Sequence, residues 1–247
     1  MLRSVKEILG YKVSAVDGDI GHVHDSYFDD QKWMVRYWVV DTGKIFPGRK
    51  VLLVPSALEE PDWETHTLPV ELTKKEIKGS PQIDVEKPVS RQQQVELHEH
   101  FGWSFYWLPG AHHWAGHESP PPPEERDKIP PPQEDGDPHL RSVKEITGYH
   151  IQAYDGGIGH VDDFIVSDKN WHLVYLVVDT RNWLPGRKVI ISPGWIDAIR
   201  WAEKKVYVEL DRELVKKSPK YDPSYPINRE YEERLYDYYG RPRYWED

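Results

Sequence analysis

Polar and apolar positions alternate over short runs along this chain, with the period of extended strands rather than of long helices. Val35, Tyr37 and Val39 alternate with Met34, Arg36 and Trp38, and Leu173, Tyr175 and Val177 repeat the spacing further on. Asp17-Gly18, Asp155-Gly156, Pro47-Gly48 and Pro185-Gly186 are turn signals between such runs, so the pattern predicts a meander of short antiparallel strands. Helical signals lie at the margins. SVKE at Ser4 and again at Ser142, and TKKE at Thr73, have the form of capping boxes, each good for about one or two turns. Longer helices are predicted from Ser90 to Phe101 and from Asn228 to Tyr239, with Gly102 and Gly240 as stops. Ile227, Tyr231, Leu235 and Tyr238 make a good apolar stripe, whereas Val95 and Leu97 make a poor one.

The whole pattern occurs twice. Leu2 to Trp107 aligns with Leu140 to Trp245 at a constant offset and without a gap, and roughly four positions in ten are identical. LRSVKEI recurs unchanged, DGDIGHV becomes DGGIGHV, YWVVDT becomes YLVVDT, and FGWSFYW becomes YGRPRYW. Each copy is long enough for a small domain, so the expected domains are residues 1–107 and 140–247. Between them, residues 108–139 carry PPPP and PPP runs with acidic side chains, the composition of an extended, semi-stiff, exposed connector. A small all-β unit hides its edges most easily by curling. The expected fold is therefore mainly β: two tandem small antiparallel β-barrels, each with short helices and a C-terminal helical aromatic tail.

Composition adjusts this picture. The 11 Trp and 15 Tyr supply buried area that the modest aliphatic content lacks. The absence of cysteine excludes disulfides, thiolate metal sites and cysteine nucleophiles. About half of the net charge of -10 lies between Leu108 and His139, and neither flanking copy has the basic surplus of a nucleic-acid-binding surface. MLRSVKEILGYKV has no apolar leader core, and no apolar stretch approaches the roughly 20 residues needed to span a bilayer, so the reading is a soluble cytoplasmic protein. Peripheral membrane association and self-association stay open.

Candidate chemistry is sparse. PGRK occurs in both copies, and its basic pairs, Arg49-Lys50 and Arg187-Lys188, have two readings. Either Pro-Gly turns the chain and the charges are solvated, or each pair is a positive patch for an acidic protein surface or an anionic ligand. The spacing is not that of a phosphate-cradling loop. His98, His100, His112, His113 and His117 are dense enough to suggest a metal, but tight ligand spacing is missing, and no metal or cofactor is expected. His22 and His160 in IGHV read as hydrogen-bonded strand residues. Asp25 and Asp163 follow at odd spacing, which on a strand sends His and Asp to opposite faces. The aromatic tails read as rings packed on their own domain or, alternatively, as a partner surface or membrane-interface belt.

A capped first turn, DGxIGHV, a strand ending in VVDT, and PGRKV followed by Pro together resemble the PRC-barrel domain, over most of both copies. That domain is named for the cytoplasmic part of the H subunit of purple-bacterial photosynthetic reaction centres, and related barrels occur in a ribosome maturation factor and in many stand-alone bacterial proteins. The resemblance implies a small β-barrel used as an adaptor or assembly module, with no catalytic residues to carry over. The reaction-centre subunit is tethered by an N-terminal membrane helix, and this chain shows no such segment in its sequence. The expectation is a non-enzymatic module that binds a protein partner, with Arg49, Lys50, Arg187 and Lys188 as the candidate contact residues. Alternatives are a peripheral subunit or regulator of an energy-transducing membrane complex, and an enzyme with an unrecognised site.

Overall fold

The structure is a computed structural model that describes residues 1–43, 45, 47–84, 87–107, 136–180 and 187–246. It is mainly β, with two sheets. The compact units are not the two sequence copies. The first unit is Glu7–Ser142, and the second joins Met1–Lys6 to Val143–Asp247. The division expected from the repeat, 1–107 and 140–247, is thus displaced, because each copy contributes its first strand to the sheet of the other.

In the first unit, β2 (Lys12–Ala15), β3 (Gly18–Asp29), β4 (Met34–Asp41) and β5 (Lys50–Leu53) form an antiparallel meander, and β6 (Thr67–Pro69) adds to β2 in parallel. The long β3 is shared along one edge. Its start pairs with β2, while Tyr27, Phe28 and Asp29 pair with β7 (Leu140–Ser142), which is the first strand of the second repeat. The second unit repeats the plan with β8 (His150–Ala153), β9 (Gly156–Ser167), β10 (Leu173–Asp179) and β11 (Lys188–Ile191). There β13 (Lys205–Val208) lies parallel to β8 and carries β12 (Ile196–Arg200) outside it, and β1 (Leu2–Ser4) pairs with the end of β9 at Ile165, Val166 and Ser167. The strand order β11-β10-β9-β8-β13-β12 and its counterpart β5-β4-β3-β2-β6 leave the outer strands unjoined. Both sheets are therefore open, where the sequence suggested small barrels, because each outer strand pairs with a sheet neighbour on one side only.

The central strands explain their own composition. Val35 to Val40 in β4 are all buried, as is the whole of β10, so both faces of each sheet are covered there and the run reads as continuous rather than alternating. On one face of the first unit Tyr27, Tyr37, Val39 and Leu52 pack with Ile83, Val89 and Leu97. Helix α1 (Val5–Ile8) is a single turn, and the chain passes within it from the second unit to the first. Helix α2 (Lys74–Gly79) begins at the expected Thr73–Glu76 capping box, and α3 (Arg91–Phe101) at a second box in which Ser90 and Gln93 exchange bonds. Helices α4 (Val143–Ile146), α5 (Arg212–Lys217) and α6 (Arg229–Tyr239) are their counterparts, α6 being capped by Asn228. Gly102 and Gly240 end α3 and α6 as the sequence suggested. The tails that follow pack on their own unit: Trp103 stacks on Phe101 with centroids 4.3 Å apart, Phe105 is buried, and the Tyr244 hydroxyl donates to Glu232 at 2.8 Å.

Part of the expected connector belongs to the first unit. Gly136 bridges to Ser90, the Asp137 N–H donates to the Val89 carbonyl at 2.8 Å, and Asp137 is buried. Residues 108–135 lie outside the described residues, and with them His112, His113 and His117. Among the described residues no helix is long and apolar enough to cross a membrane.

Candidate functional site

Three sets of residues that the sequence singled out have defined surroundings. The first is the PGRK loop. Thr42 closes it, donating from its N–H and its hydroxyl to the Arg49 carbonyl at 3.2 and 2.7 Å, and Thr180 makes the same two bonds to the Arg187 carbonyl at the same distances. The arginine side chain then runs to the C-terminus of the following helix. Arg49 donates to the Lys78 carbonyl at 2.6 Å, to the Ser80 carbonyl, and to the Ser80 hydroxyl at 2.8 Å; Arg187 donates to the Ser218 carbonyl. These carbonyls lack intrahelical partners and sit at the negative end of the helix dipole, so a guanidinium both satisfies and neutralises them. Lys188 pairs with Asp162 at 2.7 Å, and Asp162 also meets Lys6 at 3.3 Å. The arginines therefore have a structural task within each unit. Changing Arg49 to Ser is expected to destabilise the first unit by about 1–3 kcal/mol, the range for losing charge-assisted hydrogen bonds, whereas Lys50→Ser should cost about 1 kcal/mol or less. Chemical denaturation of the two variants against the parent measures the difference.

The second set is the aspartates after IGHV. His22 and Asp25 do face opposite ways: His22 is exposed and Asp25 buried. Asp163 is the anchor of the exchanged strand in the second unit. It accepts from the Ser4 hydroxyl at 2.5 Å, the Lys6 N–H at 2.9 Å and the Phe164 N–H at 2.7 Å. Burial raises its pKa above the usual carboxylate value, against the pull of these donors. Asp25 does the same work in the first unit, accepting from the Ser142 hydroxyl at 2.5 Å and the Ser26 N–H at 2.7 Å. Ser4, expected to cap a helix, thus donates its hydroxyl proton across to a sheet.

The third set was only partly visible in the sequence. His98 on α3 is fully enclosed beside Tyr37 and Gln94. Its Nδ1 lies 2.7 Å from the Ser104 carbonyl, which can only accept, so Nδ1 carries the proton and Nε2 accepts from the Tyr37 hydroxyl at 2.7 Å. Gln94 accepts from the Tyr106 hydroxyl at 2.7 Å and donates to Asp137 at 3.0 Å, and Asp137 pairs with Arg91 at 2.6 Å. Burial lowers the His98 pKa to about 4, with Arg91 acting in the same direction, and burial raises that of Tyr37 well above its ordinary value. In the second unit Glu232 stands at the place of Gln94, accepting from Tyr175 and Tyr244 at 2.8 Å each and pairing with Arg229 at 3.2 Å. The sequence signal for this network was the weak apolar stripe of α3, whose inward face carries Gln94 and His98.

Such a network can order helix and tail. His100, also counted among the histidines, lies at 3.0 Å from the Glu76 carbonyl. Among the described residues no group of three or more His, Asp or Glu side chains is arranged to hold a metal ion. The second unit has an open cleft of about 330 Å³ along the start of α6, lined by Tyr221, Tyr225, Asn228, Tyr231 and Arg234. No protein-family model matches the chain, and no curated protein matches it.

Proposed function

We propose that the protein is a non-enzymatic binding and assembly module made of two PRC-barrel-like units, each a curled sheet of the type its motifs resemble. The observation that carries this reading is the employment of the repeated polar residues. Asp25 and Asp163 anchor strands, Arg49 and Arg187 tie a loop to a helix end, and the Thr42 and Thr180 hydroxyls close that loop. What the two repeats share is a scaffold. Its partner is a protein with an acidic surface, met in each unit at the start of the strand that begins with Lys50 or Lys188, and two units on one chain make the contact bivalent.

Immobilised full-length chain, exposed to an extract of the cells that make it, tests this. A protein retained at low ionic strength and released by salt is expected, with retention falling several-fold for the Lys50→Ser, Lys188→Ser variant while its stability falls by about 1 kcal/mol or less, the cost of the Lys188–Asp162 ion pair. Retention identical in the variant and the parent would remove the lysines from the contact. Turnover of a small molecule by the purified chain, abolished by a single substitution, would overturn the non-enzymatic reading.

A further inference from the structure

The exchanged strands obey one recognition rule at two places. In the second unit the register is Leu2 opposite Ser167, Arg3 opposite Val166 and Ser4 opposite Ile165; in the first it is Leu140 opposite Asp29, Arg141 opposite Phe28 and Ser142 opposite Tyr27. The side-chain contacts repeat as well. Arg3 pairs with Asp168 at 3.4 Å and Arg141 with Asp30 at 3.3 Å; the Ser4 hydroxyl donates to Asp163 and the Ser142 hydroxyl to Asp25. Even the flanking backbone bond is kept, with Asp168 N–H donating to the Met1 carbonyl at 3.0 Å and Asp30 N–H to the His139 carbonyl at 2.9 Å.

The donor sequences are identical, LRSVKEI in both repeats, and the acceptors present the same pair of aspartates. An edge that reads Leu-Arg-Ser through a strand ladder, a buried carboxylate and an ion pair has no means of telling which copy of the strand it receives. Edge strands of this kind are the usual site of exchange between molecules, since the contacts made are the same in either arrangement. We propose that the outer edge of β9, at Ile165 to Ser167, is a self-recognition site whose partner is the first strand of a second copy of this chain. The competition is then one of concentration. Strand and edge in one molecule meet at an effective concentration on the order of millimolar, so exchange between molecules is a minor product in dilute solution and grows when chains fold together at high concentration.

The absence of cysteine makes a direct test clean. Two variants, Leu2→Cys and Ser167→Cys, each carry one thiol at directly opposed positions. They are unfolded together, refolded at about 1 µM and at several hundred µM, oxidised, and digested. A disulfide joining position 2 of one chain to position 167 of the other is expected, at least tenfold more abundant in the concentrated sample. Size-exclusion chromatography of the unmodified chain refolded in the same way should show a dimer that persists on dilution, because its release requires unfolding of the sheet. The Leu2→Cys, Ser167→Cys double variant, oxidised within single chains before refolding, should give no such dimer. Monomer at every concentration, or a dimer whose amount is unaffected by closing that disulfide, would overturn the proposal.

Discussion

Replacing Gly21 or Gly159 with Ala is expected to destabilise its unit by about 4 kcal/mol or more, a large part of the stability of a small domain. Both residues lie in the IGHV motif, at φ +149° and +141°. A Cβ on Gly21 would stand 2.0 Å from the Asp41 carbonyl oxygen, and one on Gly159 would stand 2.1 Å from that of Asp179. The neighbour is backbone, held by the pairing of His22 with Asp41 and of His160 with Asp179, so it cannot turn aside as a side chain could. Relief requires the long strand to part from the strand beside it. Gly10 is the control: its φ is +93°, but nothing lies within 4 Å of its would-be Cβ, so Gly10→Ala should cost only about 1–2 kcal/mol of backbone strain. Equal losses for Gly10→Ala and Gly21→Ala in chemical denaturation would show that the close approach is not what demands glycine.

A second large effect is expected from pH. His98 is neutral and buried, with its pKa lowered to about 4, whereas in the unfolded chain it titrates near 6.5. Below 6.5 the unfolded state takes up a proton that the folded state refuses until about pH 4. Stability is therefore complete above the unfolded value and declines by about 3 kcal/mol as pH falls from 6.5 to 4. The cause is local. Protonation at Nε2 would turn an acceptor into a donor facing the Tyr37 hydroxyl, and would place a charge among Phe105, Trp103 and the Arg91 guanidinium. The loss belongs to the first unit, because the second has Tyr236 at the same place. Denaturation free energies measured across this range should show the slope in the parent and a much shallower one in His98→Gln, whose midpoint at neutral pH is itself lower. A parent and variant with the same slope would mean that His98 takes its proton in the folded state.

Much of the local architecture was legible in the chain. The strand around Tyr37, the turn at Pro47-Gly48, the box at Thr73 and the caps at Ser90 and Asn228 appear where the residues indicate, although the strand is buried on both faces rather than alternating. Each depends on groups a few positions apart, so a short stretch contains its whole cause. The duplication was equally plain, since identity at a fixed offset needs no geometry. Pro47-Gly48 forms the turn its residues suggest, and Pro185-Gly186 lies outside the described residues, but Arg49 finds its partners at Lys78 and Ser80, beyond the reach of a local pattern.

What the tertiary structure alone decided is the destination of each repeated segment. Two identical LRSVKEI stretches carry no information about which sheet receives which, and only the assembled units place Ser4 on Asp163 and Ser142 on Asp25. The same holds for the glycine of IGHV, which is required by a carbonyl about twenty residues away in sequence rather than by a turn at its own position. Gln94 and His98 look like surface residues of a weakly amphipathic helix until Tyr37, Tyr106 and Asp137 are seen to satisfy them. Periodicity and capping are consequences of short-range chemistry and can be read from the chain; strand exchange, close backbone approach and buried polar pairing arise between distant residues, and exist only once the sheets have formed.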